Sequence, residues 1–519
     1  MDAFDWVILT AFLVLSLWTV GVLEAQQRGL HWTGTSGLYL GDQMQYLGWI
    51  RDSARHVLIG DPYRVGGSQH DYFQPGLAIS GVLFRMGIAV WLSYLLWVPF
   101  AALALFVAAR MYVRRLISGK AARRCALILA LFYISPVAEL AQRTHWNQGI
   151  FVRSMSLEMW PGFYLWGYPF TAITIALMIG TLIAYQRDRR DRKVRPWAPI
   201  CALLCAWLQP WQGATLLLIV LVSEAFLWWR HQRTALAMPA LTAAGALLPL
   251  GYYFLLSHLD PTWALSGRVN FSQGLPLPDL LITLLPLAVC AVFAYRGFSV
   301  TFESLAVRIW PFGAVVILKF IQLTHIGTFP KHSLQGLSIP MAVLAVTGAR
   351  RLDVGLPARG RVVLASLLLA ALIGFPVAQE LENARTISSP SIFGGSSPYL
   401  ITSSEKEALD YLNSTSLPGA VLSSVYLGQI IPAETGRNTW VGIYSWTPDY
   451  ATRVAQANQL FSGQLSPESS VDLVRSSGAR FLLADCQHQT DLRSKLGPLI
   501  ESEQHFGCAT VYSVRQETQ

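Results

Sequence analysis

The motif Gly41-Asp42-Gln43 follows the first long apolar segment and begins a polar stretch of the chain. If that apolar segment crosses a membrane, Asp42 lies at the outer membrane surface, where a carboxylate can take a proton from an acceptor hydroxyl group. We therefore predict that Asp42 is a general base; the alternative is that it only caps the helix that follows. Asp52, later in the same stretch, is the second candidate acid; the alternatives are a solvated surface residue or a partner of Arg51, Arg55 or His56.

Cationic side chains in two other polar segments are candidates for binding a phosphate group. Lys331 and His332 are adjacent in one of these segments, and Arg143 and His145 lie in the other. A lysine ammonium is a compact cation that suits anionic oxygens. The alternative for each residue is contact with lipid head groups at the membrane surface.

Two tryptophans, Trp146 and Trp160, are candidates for binding a sugar or acceptor. An indole ring offers a large apolar face on which a sugar ring can stack. Tryptophan is also enriched in the aromatic belts at membrane interfaces. The sequence therefore leaves both roles open for these two residues.

The composition indicates an α-helical protein that crosses the membrane several times. Hydrophobic residues make up 53% of the chain and charged residues only 13%, whereas soluble domains carry about 25% charged residues. A helix of about 20 apolar residues spans the hydrocarbon core. On this basis we predict about eleven spans, at 4–25, 88–112, 122–140, 166–186, 197–209, 212–229, 237–257, 277–295, 306–323, 334–349 and 362–380.

The positive charge indicates membrane topology rather than nucleic-acid binding. The net charge is +9, but the basic residues form short clusters between apolar segments, at 114–124, 187–195, 230–233 and 350–361. The positive-inside rule makes these clusters cytoplasmic. An odd number of spans then places the N-terminus in the cytoplasm and the C-terminus outside. We predict a bacterial cytoplasmic (inner) membrane location, with membrane lipids as neighbours.

We predict two domains, a transmembrane domain over 1–380 and an extracytoplasmic α/β domain over 381–519. The first includes a long outer loop, 26–75, followed by an interfacial helix at 75–87. The second alternates helix and strand signals, with helices predicted at 405–412, 448–461 and 467–476 and strands at 420–426, 480–485 and 510–514. Its two cysteines, Cys486 and Cys508, can form a disulfide in an oxidising compartment.

The chain resembles the GT-C superfamily of membrane glycosyltransferases in its long first outer loop and its C-terminal α/β domain. The residues that carry the resemblance are Gly41-Asp42-Gln43, Gln209-Pro210-Trp211-Gln212, and Lys331-His332 before Gly336-Leu337-Ser338-Ile339-Pro340. The resemblance implies a polyprenyl-phosphate-linked or polyprenyl-diphosphate-linked sugar as donor and a glycan, lipid or protein as acceptor. Several relatives carry Asp-Glu or Asp-x-Asp where this chain has Asp-Gln. The resemblance leaves a divalent metal as an open alternative, but the Asp-Gln motif does not support a metal site, because Gln43 supplies no second carboxylate.

Two other functions compete with a glycosyltransferase. A transporter or flippase of lipid-linked saccharides would share the apolar segments and basic loops, and it would be expected to show internal repeats with paired broken helices. We find no such repeat in the sequence. A non-enzymatic membrane protein of polysaccharide assembly, with a tail that binds polysaccharide, is the second alternative. The long outer loop favours chemistry at the membrane surface.

Overall fold

The computed structural model describes residues 1–37, 39–144, 149–270, 276–352, 357–385, 397–488 and 490–515. The chain divides into two compact units. The first, called the helical unit, comprises Met1–Trp18, Trp97–Ser257 and Asn270–Asn383. The second, called the mixed unit, comprises Thr19–Leu96, His258–Val269 and Ala384–Gln519. The loop predicted at 26–75 therefore groups with the C-terminal residues, whereas the sequence-based division placed it with residues 1–380.

The helical unit consists of apolar helices joined by short polar connections. Two of its long helices begin with a proline, Pro169 and Pro210, a residue that suits the first helical position because its missing N–H would be unpaired there anyway. A π-helical turn, Ala370–Gly374, joins the last two helices. The α-helices are Ala3–Ser16, Trp97–Leu116, Lys120–Phe132, Pro136–Arg143, Gly149–Met159, Pro169–Asp191, Trp197–Leu208, Pro210–Trp229, Ala237–Leu259, Leu277–Ala291, Phe302–Thr324, Ser338–Ala349, Ala358–Leu369 and Phe375–Ala384, with 3-10 helices at Phe163–Trp166, Val292–Tyr295 and Pro330–Leu334.

The prediction of a multi-spanning membrane protein is confirmed. In the described part of the chain, seven helices are long and apolar enough to cross a membrane, and a bent pair, Ala3–Ser16 with Trp18–Gln26, can bring the number to eight. The remaining three predicted spans coincide with Lys120–Phe132, Trp197–Leu208 and Ser338–Ala349, which have 13, 12 and 12 residues. At 1.5 Å per residue these helices are shorter than a hydrocarbon core of about 30 Å. The predicted count of eleven full spans is therefore not established.

The mixed unit combines short helices with two small sheets. A two-stranded antiparallel sheet pairs His31–Trp32 with Leu400–Ile401, so it ties the first loop to the C-terminal segment. The predicted helix at 75–87 is present as Pro75–Arg85. The α-helices of this unit are Trp18–Gln26, Leu40–Ser53, Pro75–Arg85, Val90–Leu95, Pro261–Asn270, Ser403–Ser414, Val425–Gly428, Ile431–Thr435, Tyr450–Phe461, Pro467–Ser477 and Leu492–Leu496, with a 3-10 helix at Gly497–Leu499.

The C-terminal part of the mixed unit contains a four-stranded sheet. Its strand order is Val421–Ser423, Phe481–Ala484, Ala509–Val514 and Ile500–Phe506; the first pair is parallel and the other two pairs are antiparallel. Three of these strands coincide with predicted strands. Sequence reasoning missed the edge strand, Ile500–Phe506, whose exposed residues are polar. Its partner strand and the central strand carry the apolar residues of the core.

The core of this sheet lies against two helices. Leu422, Leu482 and Tyr512 from the strands pack in one cluster with Phe461 and Leu473 from the helices. Burial of such side chains contributes about 1.5–3 kcal/mol each. Cys486 and Cys508 form a disulfide, with Cα atoms 4.9 Å apart, which links the ends of two neighbouring antiparallel strands.

Candidate functional site

Asp42 lies in the first turn of the helix Leu40–Ser53, which we call the Asp42 helix. The residue at the N-cap position is Tyr39, and the helix begins at Leu40. The alternative in which Asp42 is the N-cap is therefore wrong. The side chain is half-buried, and the positive end of the helix dipole stabilises a carboxylate in the first turn. This position favours the ionised form that a general base requires.

Three buried tyrosine side chains interact electrostatically with Asp42. Burial raises the pKa of Tyr46, Tyr63 and Tyr399, and the negative charge of Asp42 raises each of these pKa values further. The three phenols therefore remain protonated at neutral pH, and a protonated phenol can donate a hydrogen bond. Asp42 is the group among these four that can accept a proton at neutral pH.

The neighbouring Gln43 has a structural role. It is buried, and its Oε1 accepts a hydrogen bond from the backbone N–H of Ser36 at 2.5 Å. The Asp42-Gln43 motif therefore offers one carboxylate, and its second side chain is occupied. A hard divalent cation prefers several oxygen ligands, usually with more than one carboxylate among them. This pair does not fit such a site.

Aromatic rings fix the Asp42 helix within the mixed unit. Trp49 on this helix lies 5.1 Å from Tyr72, 6.0 Å from Trp263 and 5.3 Å from Trp446, measured between ring centroids. The indole N–H of Trp446 also donates a hydrogen bond to Gln45 Oε1. Such aromatic pairs contribute about 0.5–1.5 kcal/mol beyond their buried area. The helix that carries Asp42 is therefore held in place by its buried face.

Asp52, the second candidate acid, lies near the other end of the same helix. Its Oδ1 is 2.9 Å from His56 Nδ1, and its Oδ2 accepts a hydrogen bond from the Gly60 N–H at 2.8 Å. His70 Nε2 lies 3.3 Å from the same carboxylate. Asp52 thus contacts His56, one of its predicted partners, and its role as the second candidate acid stays a prediction.

Asp61 directly precedes a turn at residues 62–63, and its side chain is buried. Its Oδ1 accepts a hydrogen bond from the Tyr63 N–H at 2.9 Å, while its buried Oδ2 has no hydrogen-bond partner among the described residues. Burial raises the pKa of Asp61 to about 7; the Tyr63 N–H and Arg64 oppose this increase, and the charge of Asp260 adds to it. The ordinary value is about 3.9.

We expect Asp61→Asn to stabilise the protein more at pH 8 than at pH 4.5. Because the folded-state pKa is raised, the protonated form favours folding, and this stabilisation is lost as the pH rises from about 4 to 7. A tenfold change in proton affinity corresponds to about 1.4 kcal/mol, so the gain at pH 8 is at most about 4 kcal/mol. Thermal unfolding of the two proteins at both pH values measures the difference. An equal effect of the substitution at both pH values would show that Asp61 is ionised in the folded protein.

A second cluster lies in the helical unit around Glu158. This buried carboxylate accepts hydrogen bonds from the Tyr164 hydroxyl and from His332 Nδ1, the latter at 3.0 Å, and Lys331 Nζ lies 3.4 Å from its Oε1. Burial by itself raises the pKa of Glu158, but His332 and Lys331 outweigh that effect and lower it overall. Glu158 is therefore ionised, and it holds two predicted phosphate-binding residues side by side.

The segment before these two residues has an unusual backbone. Phe329 has φ of 42°, which is rare for a bulky side chain and costs of order 1–3 kcal/mol. Two residues of the Gln209-Pro210-Trp211-Gln212 motif hold this segment, because the Trp211 indole donates to Thr328 O and Gln212 Nε2 donates to His332 O at 2.7 Å. The structure thus brings together two of the three motifs that carried the sequence resemblance.

The other predicted binding residues have different positions. Arg143 is exposed; its Nη2 donates to Gln379 Oε1 at 2.5 Å, and its guanidinium lies 4.5 Å from the centre of the Phe375 ring. It therefore contacts the last helix of the helical unit rather than the Glu158 carboxylate. His145 and Trp146 lie outside the described residues, so their predicted roles stay predictions.

Trp160 is a core residue, which corrects its predicted sugar-binding role. Its side chain is fully buried, its Nε1 donates to Leu131 O at 3.0 Å, and its ring lies 5.3 Å from Trp166 in an edge-to-face contact. A sugar cannot stack on a ring whose faces are covered by protein. Sequence composition does not separate a buried tryptophan from an interfacial one.

Sequence reasoning did not assign Glu158 to the site. It is an acid in a polar segment that also supplies candidate cations, and a buried acid beside Lys331 and His332 would balance their charge. The pairing depends on bringing together segments more than 170 positions apart, which no local pattern indicates.

Comparison with protein-family models finds no match, and comparison with curated proteins finds none. Solved structures do match. One is the archaeal oligosaccharyltransferase AglB from Archaeoglobus fulgidus in complex with an inhibitory peptide and a dolichol-phosphate, with a TM-score of 0.52 and 14% identity over 95% of this chain and 72% of that chain. Another is ArnT from Cupriavidus metallidurans bound to undecaprenyl phosphate, with a TM-score of 0.51 and 14% identity over 99% of this chain and 98% of that chain. The chain therefore has the GT-C fold, which it shares with AglB and ArnT.

Proposed function

We propose that this chain is an integral membrane glycosyltransferase. It transfers a sugar from a polyprenyl-phosphate-linked or polyprenyl-diphosphate-linked donor to an extracytoplasmic glycan, lipid or protein. The observation that carries the proposal is the fold shared with two proteins whose structures contain a lipid phosphate, dolichol-phosphate in AglB and undecaprenyl phosphate in ArnT. A fold alone does not specify a function, but the chemistry of Asp42, Lys331 and His332 supports the same one.

In the proposed reaction, Asp42 is the general base. Its carboxylate accepts the proton of the acceptor hydroxyl group, and the acceptor oxygen forms a bond with the anomeric carbon of the donor sugar. The bond between that carbon and the phosphate oxygen breaks, and its electron pair stays on the phosphate. Polyprenyl phosphate or diphosphate is the leaving group. The first-turn position of Asp42 supports this role because it favours the carboxylate form.

Lys331 and His332 bind the donor phosphate in this proposal. Both side chains are partly exposed, at 16% and 21%, whereas Glu158 behind them is buried. The exposed donors can therefore contact a phosphate while Glu158 fixes their positions. Charge-assisted hydrogen bonds of this kind are shorter and stronger than neutral ones. Glu158 is a positioning residue, because its carboxylate contacts the two donors and would repel a phosphate.

Selective binding of a lipid phosphate tests the proposed donor class. The purified full-length protein is mixed with equal amounts of polyprenyl phosphate and the matching polyprenol, and native mass spectrometry then counts the bound lipids. We expect the phosphate to be retained preferentially, because the two lipids differ only in the group that Lys331 and His332 are proposed to bind. Equal retention of both lipids would contradict a phosphate-specific site.

The proposed topology places the N-terminus in the cytoplasm and the mixed unit outside a bacterial cytoplasmic membrane. Ala121 lies in a basic cluster and Gln464 lies in the C-terminal segment, and both are exposed. In a background in which the four free cysteines are replaced, we expect Gln464→Cys to react with an impermeant thiol reagent in spheroplasts. Ala121→Cys should react only after the membrane is permeabilised. The opposite labelling pattern would place Asp42 on the wrong side for the proposed reaction.

A further inference from the structure

We propose that Asp52, His56 and His70 form a binding site for a divalent transition metal of the Zn²⁺ type, which clips the loop that follows the Asp42 helix. Each residue offers one ligand atom, and the three atoms lie within 4.8 Å of one another. Imidazole nitrogen and carboxylate oxygen are ligands that Zn²⁺ accepts. This inference goes beyond the proposed function, since it assigns a structural metal away from the proposed base.

The distances suit a tetrahedral ion. Asp52 Oδ1 lies 2.9 Å from His56 Nδ1 and 3.3 Å from His70 Nε2. Ligands placed about 2.0–2.1 Å from a tetrahedral Zn²⁺ lie roughly 3.3 Å from one another. Small side-chain rotations would therefore bring the three atoms around one ion. The His56 and His70 side chains are 52% and 42% exposed, so an ion can enter and water can complete the coordination.

The surrounding backbone holds the ligands in position. The Gly60 N–H donates to Asp52 Oδ2 at 2.8 Å, while Asp52 Oδ1 lies within hydrogen-bond distance of a nitrogen of each imidazole. A Cβ atom on Gly60 would lie 3.2 Å from His70 Nε2 and 3.0 Å from Ser68 Oγ. Both contacts are tighter than ordinary packing allows, so glycine at this position keeps room for His70. Outer hydrogen bonds to a ligating carboxylate are typical of metal sites.

The three ligands come from the two arms of one loop. Asp52 and His56 lie at the end of the Asp42 helix and just beyond it, whereas His70 lies on the returning arm. The backbone pair Ile59 and Tyr72 closes the same loop with hydrogen bonds of 2.7 and 3.3 Å. A metal would therefore add a second closure to the loop. Asp42 is ten residues before Asp52 on the helix, or about 15 Å along its axis, so the clip is separate from the proposed base.

Cobalt substitution tests the site on the full-length protein, purified with a tag that contains no histidine and stripped with a chelator. Co²⁺ bound by imidazole and carboxylate in a tetrahedral site absorbs visible light. We expect one Co²⁺ per chain, displaced by Zn²⁺, and slower hydrogen exchange at the Ile59 and Tyr72 amides when the metal is bound. His56→Ala and His70→Ala should each weaken binding by more than the roughly 10- to 100-fold that an outer partner contributes.

Two kinds of control keep the test decisive. Asp52→Asn retains an oxygen for the Gly60 N–H but loses the anionic ligand, so it should stay folded and bind metal weakly. His505→Ala is the matched control, because His505 is an exposed histidine 3.6 Å from a carboxylate in the same unit, and it should bind normally. Asp42→Asn should also bind normally. Any of three results would overturn the proposal: no metal binding by the parent protein, unchanged binding in both His56→Ala and His70→Ala, or loss of binding in Asp42→Asn. The contacts of Asp52 would then be ordinary histidine–carboxylate hydrogen bonds.

Discussion

We expect Asp42→Asn to lower the rate of sugar transfer by about 10²- to 10⁴-fold, the range that a positioned general base contributes. Asparagine has nearly the same shape but cannot take the acceptor proton as a carboxylate does. Its effect on folding should be small, because losing a charge in the first turn of a helix costs only about 0.3–1 kcal/mol. The measurement is the transfer rate of the purified protein at saturating donor and acceptor.

Glu468→Gln is the matched control for this substitution. Glu468 also lies in the first turn of a helix, it is exposed, and it belongs to the same unit. The control removes a charge of the same kind from a comparable position and should leave the rate unchanged. If Asp42→Asn retains the parent rate within tenfold while it binds donor normally, Asp42 is not the base. If Asp52→Asn instead loses sugar transfer while the loop after the Asp42 helix stays folded, Asp52 is the general base.

The second large effect is expected at Lys331. A charge-assisted contact with an anion contributes about 1.5–3 kcal/mol, so Lys331→Ala should weaken donor binding by about 10- to 150-fold. Binding of the acceptor should change much less, because the lost charge is proposed to contact only the donor phosphate. Isothermal titration calorimetry, with donor and acceptor titrated separately, measures the two affinities.

Glu158→Gln distinguishes phosphate binding from a purely structural ion pair. Glutamine has nearly the same shape and keeps one acceptor oxygen for Lys331 or His332, but it removes the negative charge beside them. If these residues bind phosphate, the variant should bind donor as tightly as the parent or more tightly, opposite in sign to Lys331→Ala. Equal donor affinity in the parent and in both variants would mean that Lys331 serves only to neutralise buried Glu158.

The sequence predicted the parts of the fold that depend on local patterns. The length of each apolar segment predicted a helix, and the structure has a helix at each of these positions. The strand Phe481–Ala484 has the continuous apolar sequence that is typical of a central strand. The edge strand Ile500–Phe506 was missed because its polar residues face away from the core. The predicted strand at 420–426 was too long, because the chain turns into the helix Val425–Gly428.

The candidate site was only partly predictable because much of it depends on tertiary contacts. Asp42 and the Lys331-His332 pair stand out in the sequence as polar residues beside apolar segments. Glu158 joins that pair only through folding, and nothing local marks it as their partner. In the same way, Tyr399 comes near Asp42 from a distant segment of the mixed unit. Local patterns therefore find the charged groups but not the residues that set their environment.

Bond cleavage in the donor is the most direct test of the proposed function. Proteoliposomes of the purified protein receive polyprenyl-phosphate-linked hexoses and pentoses labelled in the sugar, together with lipid, glycan or protein fractions of the source cells as acceptors. The account predicts that label appears in an acceptor with one polyprenyl phosphate or diphosphate released per sugar, and that Asp42→Asn stops both. Movement of the labelled lipid across the bilayer with its sugar–phosphate bond intact, and equally in Asp42→Asn, would contradict the account and identify a transporter.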